Sequence, residues 1–123
     1  MEPTTRPLVS IVDDDELFRR SIERLLRSVG FTVEAFGSAE DFLEHGDLHR
    51  TACAILDMKL PGMSGLELQQ RLIATPAPIP IVFVTAHDEA MMQASALRAG
   101  AIAFLQKPFD NTALLDALSR SIR

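Results

Sequence analysis

The sequence predicts an α/β domain built on a doubly wound, five-stranded parallel sheet. Two observations predict it. Short β-type runs alternate with longer helix-type patterns five times over 123 residues. The first, third and fourth runs are almost wholly apolar, as strands covered on both faces are. Strict β-α alternation then implies a parallel sheet with helices on both sides, and right-handed crossovers leave few topologies.

The predicted strands cover Leu8–Val12, Thr32–Phe36, Cys53–Leu56, Ile79–Val84 and Ala101–Leu105. Between the first two, Phe18, Ile22, Leu25, Leu26 and Val29 recur at helical spacing, with Gly30 as the stop. Ser38-Ala39-Glu40-Asp41 and Ser64-Gly65-Leu66-Glu67 read as capping boxes that open the second and third helices. A fourth helix is expected over Glu89–Ala99, closed by Gly100. A fifth runs from about Asp110, with Leu114, Leu115, Leu118 and Ile122 on one face. Pro61-Gly62, the Pro-rich stretch Pro76–Pro80 and Lys107-Pro108 mark loops.

Size and composition fit one domain, taken here as residues 8–123 after an N-terminal extension, residues 1–7. Hydrophobic residues make up 47% and charged residues 24%, an ordinary globular balance. No apolar run approaches the ~20 residues that span a bilayer. Met1–Pro7 has no apolar core of a signal peptide, so a cytoplasmic location is expected and no membrane contact. The formal net charge of −5 argues against direct nucleic-acid binding, which rests on neutralising phosphates. The lone Cys53 lies in an apolar run and reads as a small buried hydrophobe.

In open α/β sheets, ligands bind beyond the carboxyl ends of the strands. The first predicted strand ends in Asp13-Asp14-Asp15, the third in Asp57 and the fourth in Thr85, and the fifth runs into Lys107-Pro108. Three carboxylates brought together repel one another. A hard divalent cation such as Mg2+ relieves that repulsion. A carboxylate can also act as a nucleophile that forms an acyl phosphate. Lys107 could clamp an oxygen of the transferred group and Thr85 could donate a hydroxyl to another. The set is complete for phosphoryl transfer to protein.

The chain resembles the receiver domain of two-component response regulators over essentially its whole length. The matching elements are Val12-Asp13-Asp14, the run from Asp57 to Glu67, Val84-Thr85-Ala86 and Lys107-Pro108-Phe109. The resemblance implies a flavodoxin-like strand order, 2-1-3-4-5, with five helices. It makes Asp57 the phosphoacceptor and Asp13 and Asp14 the metal-binding pair, with the backbone carbonyl of Lys59 as a further Mg2+ ligand. Thr85 and Lys107 become the switch and phosphate-pairing residues, with a cis bond at Lys107-Pro108. Phe104 matches an aromatic switch position that is often Tyr. Lys59 and His87 fall where receivers tune the lifetime of the phosphate.

The partner implied is a sensor histidine kinase. Phe83 to Phe109, with Asp57-Met58, is most similar to the FixJ/NarL-like groups, in which a C-terminal helix-turn-helix output domain follows the receiver. The sequence stops at Arg123 without one, which is read as a fragment, a stand-alone receiver being the other reading. The resemblance also implies a phosphorylation-dependent homodimer through the fourth helix, fifth strand and fifth helix.

Other residues carry plainer readings. Asp15 and Glu16 are taken as helix-start residues rather than added ligands. His45 and His49 have i, i+4 spacing but straddle Gly46, and are read as a solvated face. Met91 and Met92 are ordinary helix residues on a surface that could meet a partner. Phe104 stays open between core and switch. Two rival functions are open to the same residues: a small aspartate-based phosphatase, disfavoured by Lys59 where a second Asp is expected, and a phosphate-independent interaction module, disfavoured by the intact set Asp13, Asp14, Asp57, Thr85 and Lys107.

Overall fold

The structure, a computed structural model, describes residues 6–76, 78–86 and 90–122. Its elements are β1 (Leu8–Val12), α1 (Glu16–Ser28), β2 (Thr32–Phe36), α2 (Ala39–His45), β3 (Thr51–Asp57), α3 (Gly65–Ile73), β4 (Ile81–Thr85), α4 (Ala90–Arg98), β5 (Ala103–Gln106) and α5 (Asn111–Ser121). The strands form one parallel sheet in the order β2-β1-β3-β4-β5. The expected strand order is therefore observed.

Apolar side chains of the central strands feed two cores, which is why those strands lack polar alternation. Val9, Ile11, Ile55, Val82 and Val84 pack with Ile22 and Leu26 of α1 and Leu114 and Leu118 of α5. Val12, Leu56 and Phe83 pack on the other side with Phe42 of α2, Leu68 and Leu72 of α3 and Ala96 of α4. Fixing each strand between two layers of side chains leaves its carboxyl end no freedom to drift. The polar residues there are held accordingly.

Helix ends explain the boundaries. Asp15 caps α1, accepting the amides of Leu17 and Phe18 at 3.0 and 3.2 Å. Gly30, at φ 103°, turns the chain out of α1 while the Phe31 amide returns to the Leu26 carbonyl. Ser64 and Glu67 form the expected reciprocal capping box of α3. In α2 only half of the expected box forms: Ser38 accepts the Asp41 amide at 3.1 Å, but the Asp41 carboxylate faces His45 Nδ1 at 2.8 Å. Aspartate is one methylene shorter than the Glu or Gln of a full capping box.

Other boundaries shift by one or two residues. β3 extends from Thr51 to Asp57, beyond the expected Cys53–Leu56. β4 starts at Ile81 rather than Ile79, since Pro78 and Pro80 bring no amides to a ladder. β5 starts at Ala103 rather than Ala101, whose amide is spent closing α4 on the Ala96 carbonyl at 3.0 Å. Of the expected extension, Pro7 already joins the sheet edge, its carbonyl accepting the Thr32 amide at 3.0 Å. Residues 1–5 lie outside the described residues, as do Glu89, the expected start of α4, and His87. Among the described residues no helix is long and apolar enough to cross a membrane.

Candidate functional site

The site lies at the carboxyl edge of β1, β3 and β4, and Asp13 is its most constrained member. Its amide donates to the Phe36 carbonyl at 3.0 Å, which extends the β1–β2 pairing by one residue. Its side chain is fully buried, and Oδ1 accepts the Asp15 amide at 2.9 Å while Oδ2 accepts Lys107 Nζ at 2.7 Å. Arg19 adds a hydrogen bond from Nη1 to the Asp13 carbonyl at 2.6 Å. Asp14, next in the chain, is exposed.

Asp57 closes β3 and is 7% exposed. Its Oδ1 accepts the Lys59 amide at 3.1 Å, and its Oδ2 stands 3.9 Å from Lys107 Nζ. Burial, reinforced by the negative charge of Asp13, pushes the Asp57 carboxyl up to about 6. The Lys59 amide and Lys107 work in the opposite direction and only partly offset this. Gly65 is required beneath this strand end, because a Cβ there would overlap the Asp57 carbonyl oxygen and press on Met58.

Carboxylate oxygens of Asp13, Asp14 and Asp57 lie within 4.8 Å of one another. Such an all-oxygen, anionic donor set fits a hard divalent cation. Lys107 reaches the cluster because β5 pairs with β4: the Lys107 amide donates to the Thr85 carbonyl at 2.7 Å. The Lys107–Pro108 bond is cis, as expected. Thr85 is fully buried at the end of β4.

The structure thus gathers Asp13, Asp14, Asp57, Thr85 and Lys107 along one edge. Lys59 adjoins them, its amide donating to Asp57 Oδ1 at 3.1 Å, and the residue is exposed. Phe104 belongs to the α4 side, half-buried, with its ring 6.1 Å from that of Phe83. His87 lies outside the described residues.

Sequence reasoning missed four contributors. Arg19 holds the Asp13 carbonyl. Phe18 places its ring centroid 3.9 Å from Lys107 Nζ and meets Phe109 edge to face, with centroids 6.1 Å apart. Glu40, on α2, accepts the Met63 amide at 2.8 Å and so ties down the loop that follows Asp57. Gln69 is fully buried in α3 and donates from Nε2 to the Ala96 carbonyl of α4 at 3.0 Å. Helical periodicity explained Phe18 as core, and nothing local marks the other three. The buried Cys53 thiol, by contrast, is pushed up to about 11 by burial, in keeping with the inert reading.

Comparison with known proteins now bears on this edge. The profile of the response regulator receiver domain family matches residues 9–119. Nodulation protein W of Bradyrhizobium diazoefficiens is 44% identical over 117 residues, covering 95% of this chain and 52% of that protein. The response regulator protein TodT of Pseudomonas putida is 39% identical over 118 residues, covering 94% of this chain and 51% of that protein. Among solved structures, the response regulator StyR superposes with a TM-score of 0.88 at 50% identity, covering 96% of this chain and 60% of that one. FixJ-N gives 0.84 at 35% identity, covering 96% and 94%. The chain spans about half the length of the curated relatives it matches. The acidic edge of a five-stranded 2-1-3-4-5 sheet and a family match over most of the sequence agree: the chain belongs to the response regulator receiver domain family.

Proposed function

We propose that this receiver accepts a phosphoryl group on Asp57 from a partner histidine kinase and relays the change to an output domain. The observation that supports it best is the placement of Asp57, nearly buried, within reach of Lys107 and beside the carboxylates of Asp13 and Asp14.

In this reading an Asp57 oxygen attacks the phosphorus of phosphohistidine. The P–N bond breaks, and its electron pair stays on the imidazole nitrogen, which then takes a proton. Mg2+, held by Asp13, Asp14, Asp57 and the Lys59 carbonyl, would offset negative charge on the transferred group. Asp13 is held in place by its bonds to Lys107 and the Asp15 amide. Lys107 pairs with an oxygen of the new acyl phosphate, and Thr85 donates its hydroxyl to another. The phosphoryl group brings charge and three acceptor oxygens to the end of β3, where the Asp57 side chain offered one carboxylate.

Phe104 then turns into the space vacated by Thr85, which changes the surface of α4, β5 and α5. With Phe rather than Tyr, that turn proceeds without a hydroxyl. The altered face supports homodimerisation and control of a C-terminal helix-turn-helix output domain in the cytoplasm. Lys59 and His87 tune how long the phosphate survives. The module has no turnover substrate; it phosphorylates and dephosphorylates itself.

Incubation with acetyl phosphate and Mg2+, followed by intact mass, tests this. A single phosphoryl adduct that requires Mg2+ and is absent in Asp57→Asn is expected. No adduct and no beryllofluoride binding would overturn it.

A further inference from the structure

We propose that Phe18 is a positioning residue for Lys107, a ring platform on which the ammonium moves between Asp13 and Asp57. The inference rests on the phosphoacceptor reading of Asp57, and it concerns a contact that this reading leaves unused.

Among the described residues, Lys107 Nζ meets Asp13 Oδ2 at 2.7 Å, Asp57 Oδ2 at 3.9 Å and the Phe18 ring centroid at 3.9 Å. Its side chain is 16% exposed, so water does little to screen these contacts. The ring itself is fixed. Phe18 lies in the first turn of α1, where the Asp15 carboxylate holds its amide at 3.2 Å. Its ring meets that of Phe109 at 81°, edge to face. Phe109 follows directly on Lys107-Pro108, so the same loop carries both the cation and the aromatic that braces its platform. These three residues, with Pro108 and Ile22, wall an open cavity of about 490 Å³ beside the site.

A ring face suits this position for a definite reason. It attracts a cation through its quadrupole but has no lone pair and no proton to exchange. A fourth carboxylate there would hold Lys107 away from the phosphoryl group and deepen the repulsion among Asp13, Asp14 and Asp57. An aliphatic side chain would leave the ammonium with the two carboxylates, of which Asp13 is the nearer. Attraction to a ring face is broad, so Nζ can swing from its bond with Asp13 toward oxygens on Asp57 without losing the ring. Phe18 therefore keeps Lys107 available to both partners of the transfer.

The test uses Phe18→Leu, Phe18→Tyr and Phe18→Met in this chain, with urea midpoints to show that each is folded. The first measurement is the proton shift of the Lys107 ε-methylene. It should lie upfield in wild type and Phe18→Tyr and return toward the ordinary lysine value in Phe18→Leu and Phe18→Met. The second is the rate of adduct formation from acetyl phosphate at saturating Mg2+. Phe18→Leu and Phe18→Met should be about three- to tenfold slower, as loss of one cation–π contact predicts, and Phe18→Tyr should restore the rate. In a Lys107→Met background the Phe18→Leu effect should vanish, because the two residues act through one contact.

An ordinary methylene shift in wild type would overturn the platform. Equal losses in the Leu and Tyr variants, or a Leu effect that persists without Lys107, would reduce Phe18 to a core residue and overturn the inference. A wild type that shows the upfield shift but takes no phosphate would instead sink the phosphoacceptor reading, and the role of Phe18 with it.

Discussion

Lys107 Nζ sits 2.7 Å from Asp13 Oδ2 but 3.9 Å from Asp57 Oδ2. The ammonium thus compensates the fully buried carboxylate more closely than the one at the end of β3, and at Asp57 it offsets burial and repulsion only in part.

That imbalance predicts a pH dependence. The Asp57 carboxyl is raised from 3.8 to about 6 by folding, so the native state binds its proton more tightly than the unfolded chain does. The resulting stability is fully present below about pH 4 and is lost as pH rises through about 6. Metal-free Asp57→Asn should therefore be more stable than wild type at pH 7.5, by on the order of 1–2 kcal/mol after allowance for partial solvent screening. The gap should close below pH 4. Urea titrations in EDTA at several pH values measure it, and superimposed curves at every pH would remove the explanation.

Removing the cation should do the reverse. Lys107→Met leaves Asp13 buried beside two other carboxylates, and breaking such a pair costs about 3 kcal/mol. Denaturation of this variant with and without Mg2+ should show a larger stabilisation by the ion than in wild type.

Gly65 is predicted to tolerate no side chain. Its amide donates to the Met58 carbonyl at 3.1 Å, and an added methyl would overlap the Asp57 main chain. Gly65→Ala should lose about 1–3 kcal/mol, the ordinary cost of overpacking. The displaced strand end should also slow Asp57 modification. A variant with native stability and native rate would contradict the close approach.

The bond from Met63 to Glu40 is exposed, so Glu40→Ala should change global stability by less than about 0.5 kcal/mol. Its effect should be local: faster amide exchange at Met63, in the turn where Gly62 adopts φ 74°. Unchanged exchange there would show that the loop needs no such tether.

Gln69 is predicted to set how firmly α4 is held. Ala96 is the one buried residue of the described part of α4, and its carbonyl takes both the Ala101 amide and Gln69 Nε2 at 3.0 Å. Gln69 Oε1 is buried without a hydrogen-bond partner among the described residues. Gln69→Leu loses one bond but also removes that oxygen, so stability should move by less than about 1 kcal/mol. Amides of α4 should nevertheless exchange faster; equal protection would mean that the helix is held by other contacts.

Much of this was legible in advance because it is written in short range. Strands β1, β3 and β4 announce themselves as apolar runs, since burial on both faces removes alternation. Ser64 and Glu67 announce a helix start three residues apart. The acidic residues fall directly after strand-forming runs, so the fold alone carries Asp13, Asp57 and Thr85 to one edge. The α2 box forms only by half because the Asp41 side chain is too short for the return bond. β5 begins two residues after its apolar run does because the Ala101 amide belongs to the end of α4.

What the sequence determined by itself was the parallel α/β architecture and the list of groups at the strand ends, because periodicity and caps are local properties of the chain. What only the tertiary structure decided was how those groups share their charges. Lys107 and Asp13 are 94 residues apart. Whether the ammonium would favour Asp13 or Asp57, rest on Phe18, or leave Asp57 with a raised proton affinity depends on ångström-scale packing of β5 and α1 around the sheet. Electrostatic energies at such distances change steeply with position and burial. Neither quantity exists until the layers have closed.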